Sequence, residues 1–133
     1  MVIQVLRNRT VGEIQYEFSN AYPFLRLEFF RITEGRLGAG VRQKQVKTTK
    51  LSEVGRLREG DLELDDTTTV GSLEKTFRER FGITVQVTRK SGPVWLETTV
   101  TDSWTLWQQN EHGRELSTPV KRILPGYDGD NDQ

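Results

Sequence analysis

The sequence predicts an α+β fold: two β-α-β halves on a mixed sheet with both helices on one face, ferredoxin-like or a close variant. The first observation behind this is a repeat. Thr10, Val11, Gly12, Ile14, Phe18 and Tyr22 stand where Thr69, Val70, Gly71, Leu73, Phe77 and Phe81 stand fifty-nine residues later. After one extra residue in the first copy, Leu25, Leu27, Phe29 and Arg31 correspond to Ile83, Val85, Val87 and Arg89. The second observation is a change of period inside each copy. Apolar residues recur at steps of three and four, then at every second position, so each copy is a helix that runs into a strand. Neither unit buries enough surface to offset the ordering of its own backbone, so the two need a shared core.

The elements follow in order. Val2–Leu6 reads as a strand that is apolar on both faces, which suits the interior of a sheet. Thr10 is a helix N-cap, with Glu13 placed to complete a capping box, and Pro23 ends that helix. The strand that follows runs from Leu25 to about Ile32, with Leu25, Leu27 and Phe29 on one side. Residues 35–60 show no periodicity. They form a long basic loop with seven cations against two carboxylates, and its one expected element is a short helical turn near Leu51–Val54. Asp61–Leu64 is a short, acidic third strand. Thr69 caps the second helix, Gly82 stops it, and Ile83–Arg89 is the second strand of the repeat. The Ser91-Gly92-Pro93 turn sends Val94–Thr101 back antiparallel to it. Asp102 or Ser103 caps a last short helix that carries Trp104, Leu106 and Trp107 and stops at Gly113. The reading is one domain over residues 1–124, followed by a disordered acidic tail over 125–133.

Composition narrows the chemistry. In 133 residues, 19 lysines and arginines balance 19 aspartates and glutamates, so no global charge draws the chain to nucleic acid or to a membrane surface. The absence of cysteine excludes disulfide scaffolds, thiolate metal sites and thiol nucleophiles. No apolar run approaches the length of a membrane span and no leader-like start is present, which gives a cytoplasmic expectation.

The stretch RKSGPVWLETTVTDSWTLWQQNEHG, residues 89 to 113, together with the TVGEI helix start, resembles a group of small bacterial proteins. These share a TVGEL-like helix opening, an RKSG turn, a WLETT-like strand and a TD-x-WTL-x-x-QN segment. The resemblance covers most of residues 1 to 113. It implies a compact α+β domain and carries no activity, so it assigns a role to no residue.

Candidate reactive groups are few. His112 is the one histidine and sits beside Gly113, with no nucleophile elbow elsewhere in the chain. Asp61, Glu63, Asp65 and Asp66 cluster in sequence, but they lack the glycine and terminal glutamate of a calcium loop. Gly35, Gly38 and Gly40 match neither phosphate-loop spacing. The chain therefore reads as no enzyme, with no cofactor and no metal site.

Two surfaces remain as candidates for binding. One is the basic loop, with Arg42, Lys44, Lys47 and Lys50. The other is the sheet face opposite the helix stripes, where Arg26, Phe30 and Trp95 would meet. The expected function is a non-enzymatic binding or protein-interaction domain, its partner another protein or a second copy of the chain. The alternative is single-stranded nucleic-acid binding, RNA above all, because aromatic and arginine side chains on a sheet are a base-stacking surface. No RNP1-like string supports that alternative. The last helix, through Trp104 and Trp107, would otherwise cover the same face.

Overall fold

The computed structural model describes residues 1–35, 38 and 40–118. The strands are β1 Val2–Val5, β2 Leu25–Glu34, β3 Gly40–Lys44, β4 Gly60–Glu63, β5 Thr84–Ser91 and β6 Val94–Glu97. The helices are α1 Val11–Ala21, α2 Val70–Thr76, prolonged by a π turn over Phe77–Phe81, and α3 Leu106–Ser117. The α+β class holds, but the single mixed sheet does not form. Every strand pairing is antiparallel, and the strands divide into a β1-β4 ribbon and a four-stranded sheet ordered β3-β2-β5-β6. The strand before α1 and the strand before α2 thus lie in a different sheet from the strand after each, which is not the ferredoxin-like arrangement.

Local chemistry sets the helix starts. The Thr10 hydroxyl accepts from the Glu13 amide, and the Glu13 carboxylate accepts from the Thr10 amide. Thr69 accepts from the Ser72 amide. The stripes of both helices enter one core: Val11, Ile14 and Phe18 from α1, and Val70, Leu73, Phe77 and Phe81 from α2 and its π turn. Against them lie Leu25, Leu27, Phe29, Val85 and Val87, with Ile3, Val5 and Leu62 of the ribbon in the same core.

The pairing register is unchanged when the two halves are exchanged. Ile3 pairs with Leu62, fifty-nine residues on, and Glu28 pairs with Gln86, fifty-eight on, so each residue faces its own counterpart. These are the pairs that a two-fold relation between the halves would map onto themselves. Similar contacts recur outside the segments that match in sequence. The Gly12 amide donates to Lys47 O at 2.9 Å, and the Gly71 amide donates to Asp102 O at 2.7 Å. Thr10 bridges Lys50 as Thr69 bridges Thr105. Phe30 faces Lys44 on β3, as Thr88 faces Glu97 on β6.

Several sequence expectations need correction. Residues 35–60 are not structureless, because β3 and a 3₁₀ turn over Leu51–Glu53 lie within them; that turn sits where a helical turn was expected. β1 is not an interior strand, since Val2 is 54% exposed and only Ile3 and Val5 face the core. β6 ends at Glu97, short of Thr101, and a 3₁₀ turn follows over Thr99–Thr101. α3 is capped by Thr105, with Gln108 completing a capping box, and it runs past Gly113 to Ser117. Gly113 is there for space: a Cβ on it would stand 2.9 Å from the Phe24 Cβ and 3.0 Å from the Arg89 Cγ. The expected domain end near residue 124 and the acidic tail over 125–133 lie outside the described residues.

Candidate functional site

The site begins at an unfinished strand edge. β3 pairs with β2 only over Phe30–Glu34, so the Leu25–Phe29 segment of that edge needs other partners. Helix α1 supplies two of them. The Gln15 amide donates to Leu27 O at 2.8 Å, and the Ser19 hydroxyl, one turn on, donates to Leu25 O at 2.8 Å. The chain leaving β3 closes the remainder, with the Gln45 amide donating to Phe29 O. The wall of α1, the end of β3 and the free part of β2 therefore enclose a cleft of about 330 Å³, lined by Gln15, Arg26, Glu28, Lys44, Gln45, Val46 and Lys47. A second hollow of about 280 Å³ continues it toward Tyr16, Ser19, Pro23 and Trp95.

The floor of the cleft is a buried carboxylate. Glu28 is 6% exposed. Its oxygens accept from Gln15 Nε2 at 3.3 Å and Arg26 Nη1 at 3.5 Å, and Lys44 Nζ stands 3.9 Å away. Two cations and an amide on one carboxylate satisfy it and still leave the cleft net positive, because Lys47 at the rim adds a charge with no carboxylate beside it in the lining.

Most of the sequence-predicted residues meet here. Arg26 lies over the Trp95 ring at 4.1 Å, and Arg42 lies over the Phe30 ring at 4.0 Å while bonding Glu97 at 2.9 Å. Lys44 and Lys47 line the cleft. Lys50 does not join them, since its backbone bridges Thr10 at the start of α1. Phe30 is buried, so it is not the exposed stacking platform expected of it. Arg42 of β3 covers the Phe30 ring of β2, and Arg26 of β2 covers the Trp95 ring of β6.

That cover comes from β3 and β2, not from the last helix. α3 packs against the opposite face at its Arg89 end. Leu106 enters the core, Gln109 accepts from Arg89 Nη1 at 2.8 Å, and Asn110 accepts from the Phe24 amide at 2.8 Å. Trp107 is left 53% exposed, and Trp104 meets His112 edge-on at 5.4 Å. His112 also lies 3.7 Å from the Glu115 carboxylate; these neighbours make it part of a helix surface. Of the acidic run, Asp65 accepts from Thr67 in a turn and Asp66 accepts from the Tyr22 hydroxyl. Among the described residues no group of three or more His, Cys, Asp or Glu side chains is arranged to hold a metal ion. Among the same residues no helix is long and apolar enough to cross a membrane.

Gln15, Glu28 and Val46 were missed in the sequence. A glutamine on a helix flank carries no periodic signal. The signal that was available is Glu28, a carboxylate between Leu27 and Phe29 in a strand otherwise rich in apolar residues.

The counterpart of Gln15 in the other half is Glu74. Its carboxylate accepts from the Val87 amide at 2.9 Å and from Gln86 Nε2 at 3.1 Å. Burial, reinforced by the Asp102 and Glu97 charges, raises its pKa above the ordinary 4.5, against the pull of the Val87 N–H. A carboxyl with a raised folded pKa binds its proton more tightly when folded, so it adds stability as pH falls from the folded value toward the unfolded one. Glu74→Gln keeps an oxygen for both donors and is expected within about 1 kcal/mol of the parent at neutral pH. The parent should gain on the variant as pH falls toward 4.5. Urea melts of both proteins across that range check this, and a constant difference would refute the assignment.

Comparison of the chain with protein-family models, with curated proteins and with solved structures finds no match in any of the three.

Proposed function

We propose that the chain is a non-enzymatic binding domain whose contact surface is the Arg26–Lys44–Lys47 cleft with Trp95 at its end, and that the cleft receives an acidic segment of a protein. The observation that carries this reading is the surplus of positive charge around a carboxylate that is already satisfied. Glu28 pairs with Arg26 and Lys44, and both line the cleft together with Lys47. A positive cleft with low-dielectric walls concentrates an anionic partner. Val46, 66% exposed at the rim, and Trp95 supply apolar contact beside the charge. Base stacking is disfavoured, because Phe30 is buried and the Trp95 ring already carries Arg26.

Fluorescence anisotropy of the full chain with a labelled glutamate-rich peptide, and separately with labelled single-stranded RNA and DNA, tests the reading at two salt concentrations. The peptide is expected to bind, to weaken with salt, and to lose at least about tenfold in affinity when Lys44 and Lys47 are both changed to Glu, a change of about 1.4 kcal/mol. Oligonucleotide binding that falls steeply with salt and is lost in Trp95→Ala would transfer the assignment to nucleic acid. No binding of either at low salt, by a chain that is monomeric there, would end the proposal for this surface.

A further inference from the structure

The two-fold relation between the halves gives the basic cleft a counterpart, and the counterpart is acidic. Lys44, facing Phe30 on the neighbouring strand, corresponds to Glu97, which faces Thr88. Lys47, whose carbonyl receives the Gly12 amide, corresponds to Asp102, whose carbonyl receives the Gly71 amide. Gln15 corresponds to Glu74 and Glu28 to Gln86. Every charged position in the pairing has changed sign or lost its charge. After burial, the Asp102 and Glu97 charges both raise the Glu74 pKa, while Arg78 in the π turn offsets part of their field. Arg42 bonds Glu97 from across the sheet.

Glu28, Lys44, Gln86 and Glu97 alternate on the same side of the four-stranded sheet, so both corners open on one face, on opposite sides of the axis through Glu28 and Gln86. We infer that a second copy of the chain occupies this face as a closed dimer, with Lys44 and Lys47 of each copy against Glu97 and Asp102 of the other. The inference rests on the binding cleft proposed above and names its occupant. A copy turned over about an axis in the plane of the sheet brings basic corner to acidic corner at both ends simultaneously. A single self-complementary patch of this kind closes at two and does not run on into filaments. The halves share a framework of backbone contacts but not these charges, and opposite charges on the two sides of the axis are what a face-to-face two-fold pair requires.

Sedimentation of the full chain over a range of concentrations, at low and high salt, is the test. A dimer at low salt that dissociates at high salt is expected. Lys44→Glu with Lys47→Glu, and separately Glu97→Lys with Asp102→Lys, should each weaken the dimer at least about tenfold. An equimolar mixture of the two double variants should restore association, since each supplies what the other has lost. Because Asp102 stands at the start of α2, Glu97→Gln with Asp102→Asn provides a gentler second variant, expected to weaken the dimer in the same direction. Circular dichroism on every variant separates lost association from lost fold. A chain that stays monomeric at low salt, a dimer indifferent to salt, or a mixture that fails to associate would each overturn the inference. If the chain is monomeric but still binds the glutamate-rich peptide through Lys44 and Lys47, the cleft stands and only its occupant is wrong. If the peptide fails too, both readings fall.

Discussion

Replacing Phe77 with alanine is expected to lower the unfolding free energy by about 3–5 kcal/mol, the range for deleting a buried phenylalanine. The ring is fully buried and lies where both halves of the core converge. It meets Phe29 of β2 edge-to-face at 5.8 Å and 85°, and the Phe81 ring stands 5.6 Å away. Collapse into the vacated space is restricted, because the Phe77 carbonyl accepts from the amides of Gly82 and Ile83 and so fixes the turn into β5. A small domain has about 5–15 kcal/mol in total, so the variant should sit close to its unfolding threshold at room temperature. Val100→Ala is the control. Val100 is 97% exposed, and the change should stay within about 0.5 kcal/mol. Urea melts read both, and an unchanged slope would place the effect in the folded core. A loss below about 1 kcal/mol for Phe77→Ala would mean that its ring does not bridge α2 and β2.

What the sequence revealed and what it hid divide along the range of the interactions. Helix stripes, caps and strand parity are local. Thr10 with Glu13, the Val11–Ile14–Phe18 face and the alternation from Leu25 to Phe29 could all be read from spacing alone. Pairing is not local. Val2, Ile3, Val5 and Leu6 look like an interior strand because four of five residues are apolar, yet Val2 faces outward and β1 has a single neighbour. Asp61 and Glu63 look too acidic for a central strand, and the ribbon explains them: Leu62 turns to the core while they stay exposed. β3 was hidden altogether. All five of its residues are exposed, so no apolar alternation marks it, and its order comes from pairing with β2. The candidate site follows the same rule. Parity placed Arg26, Phe30 and Trp95 on one face, while the burial of Phe30 beneath Arg42 depends on β3 and could not be foreseen. Lys47 and Lys50 were indistinguishable as basic loop residues; the backbone contacts of Gly12 and Thr10 put one in the cleft and the other beside the helix start.

Gly82→Ala should destabilise by more than a left-handed backbone alone explains, and the excess tests the order within residues 35–60. Gly82 has φ of 75°, where an L side chain costs roughly 1–2 kcal/mol. Its neighbourhood adds a second cost. A Cβ there would stand well inside van der Waals contact of the Arg56 carbonyl oxygen and 3.5 Å from the Arg58 guanidinium. That oxygen cannot easily retreat, because the segment is clamped to the end of the π turn. The Arg58 amide donates to Phe81 O at 3.0 Å, and its guanidinium donates to Glu79 O at 2.6 Å and Arg80 O at 3.0 Å. Gly92 provides the comparison. Its φ is 61°, and nothing lies within 4 Å of the position its Cβ would take. Gly92→Ala should therefore show the backbone term by itself, and Gly82→Ala should exceed it by at least about 2 kcal/mol, within the range for forcing extra volume into a packed site. Equal losses in the two variants, measured by urea melts under one set of conditions, would show that Arg56 and Arg58 do not pack on the helix end. The stretch from Gly55 to Arg58 would then revert to the unstructured loop its composition suggests, and the connection between the two halves would lose its fixed path.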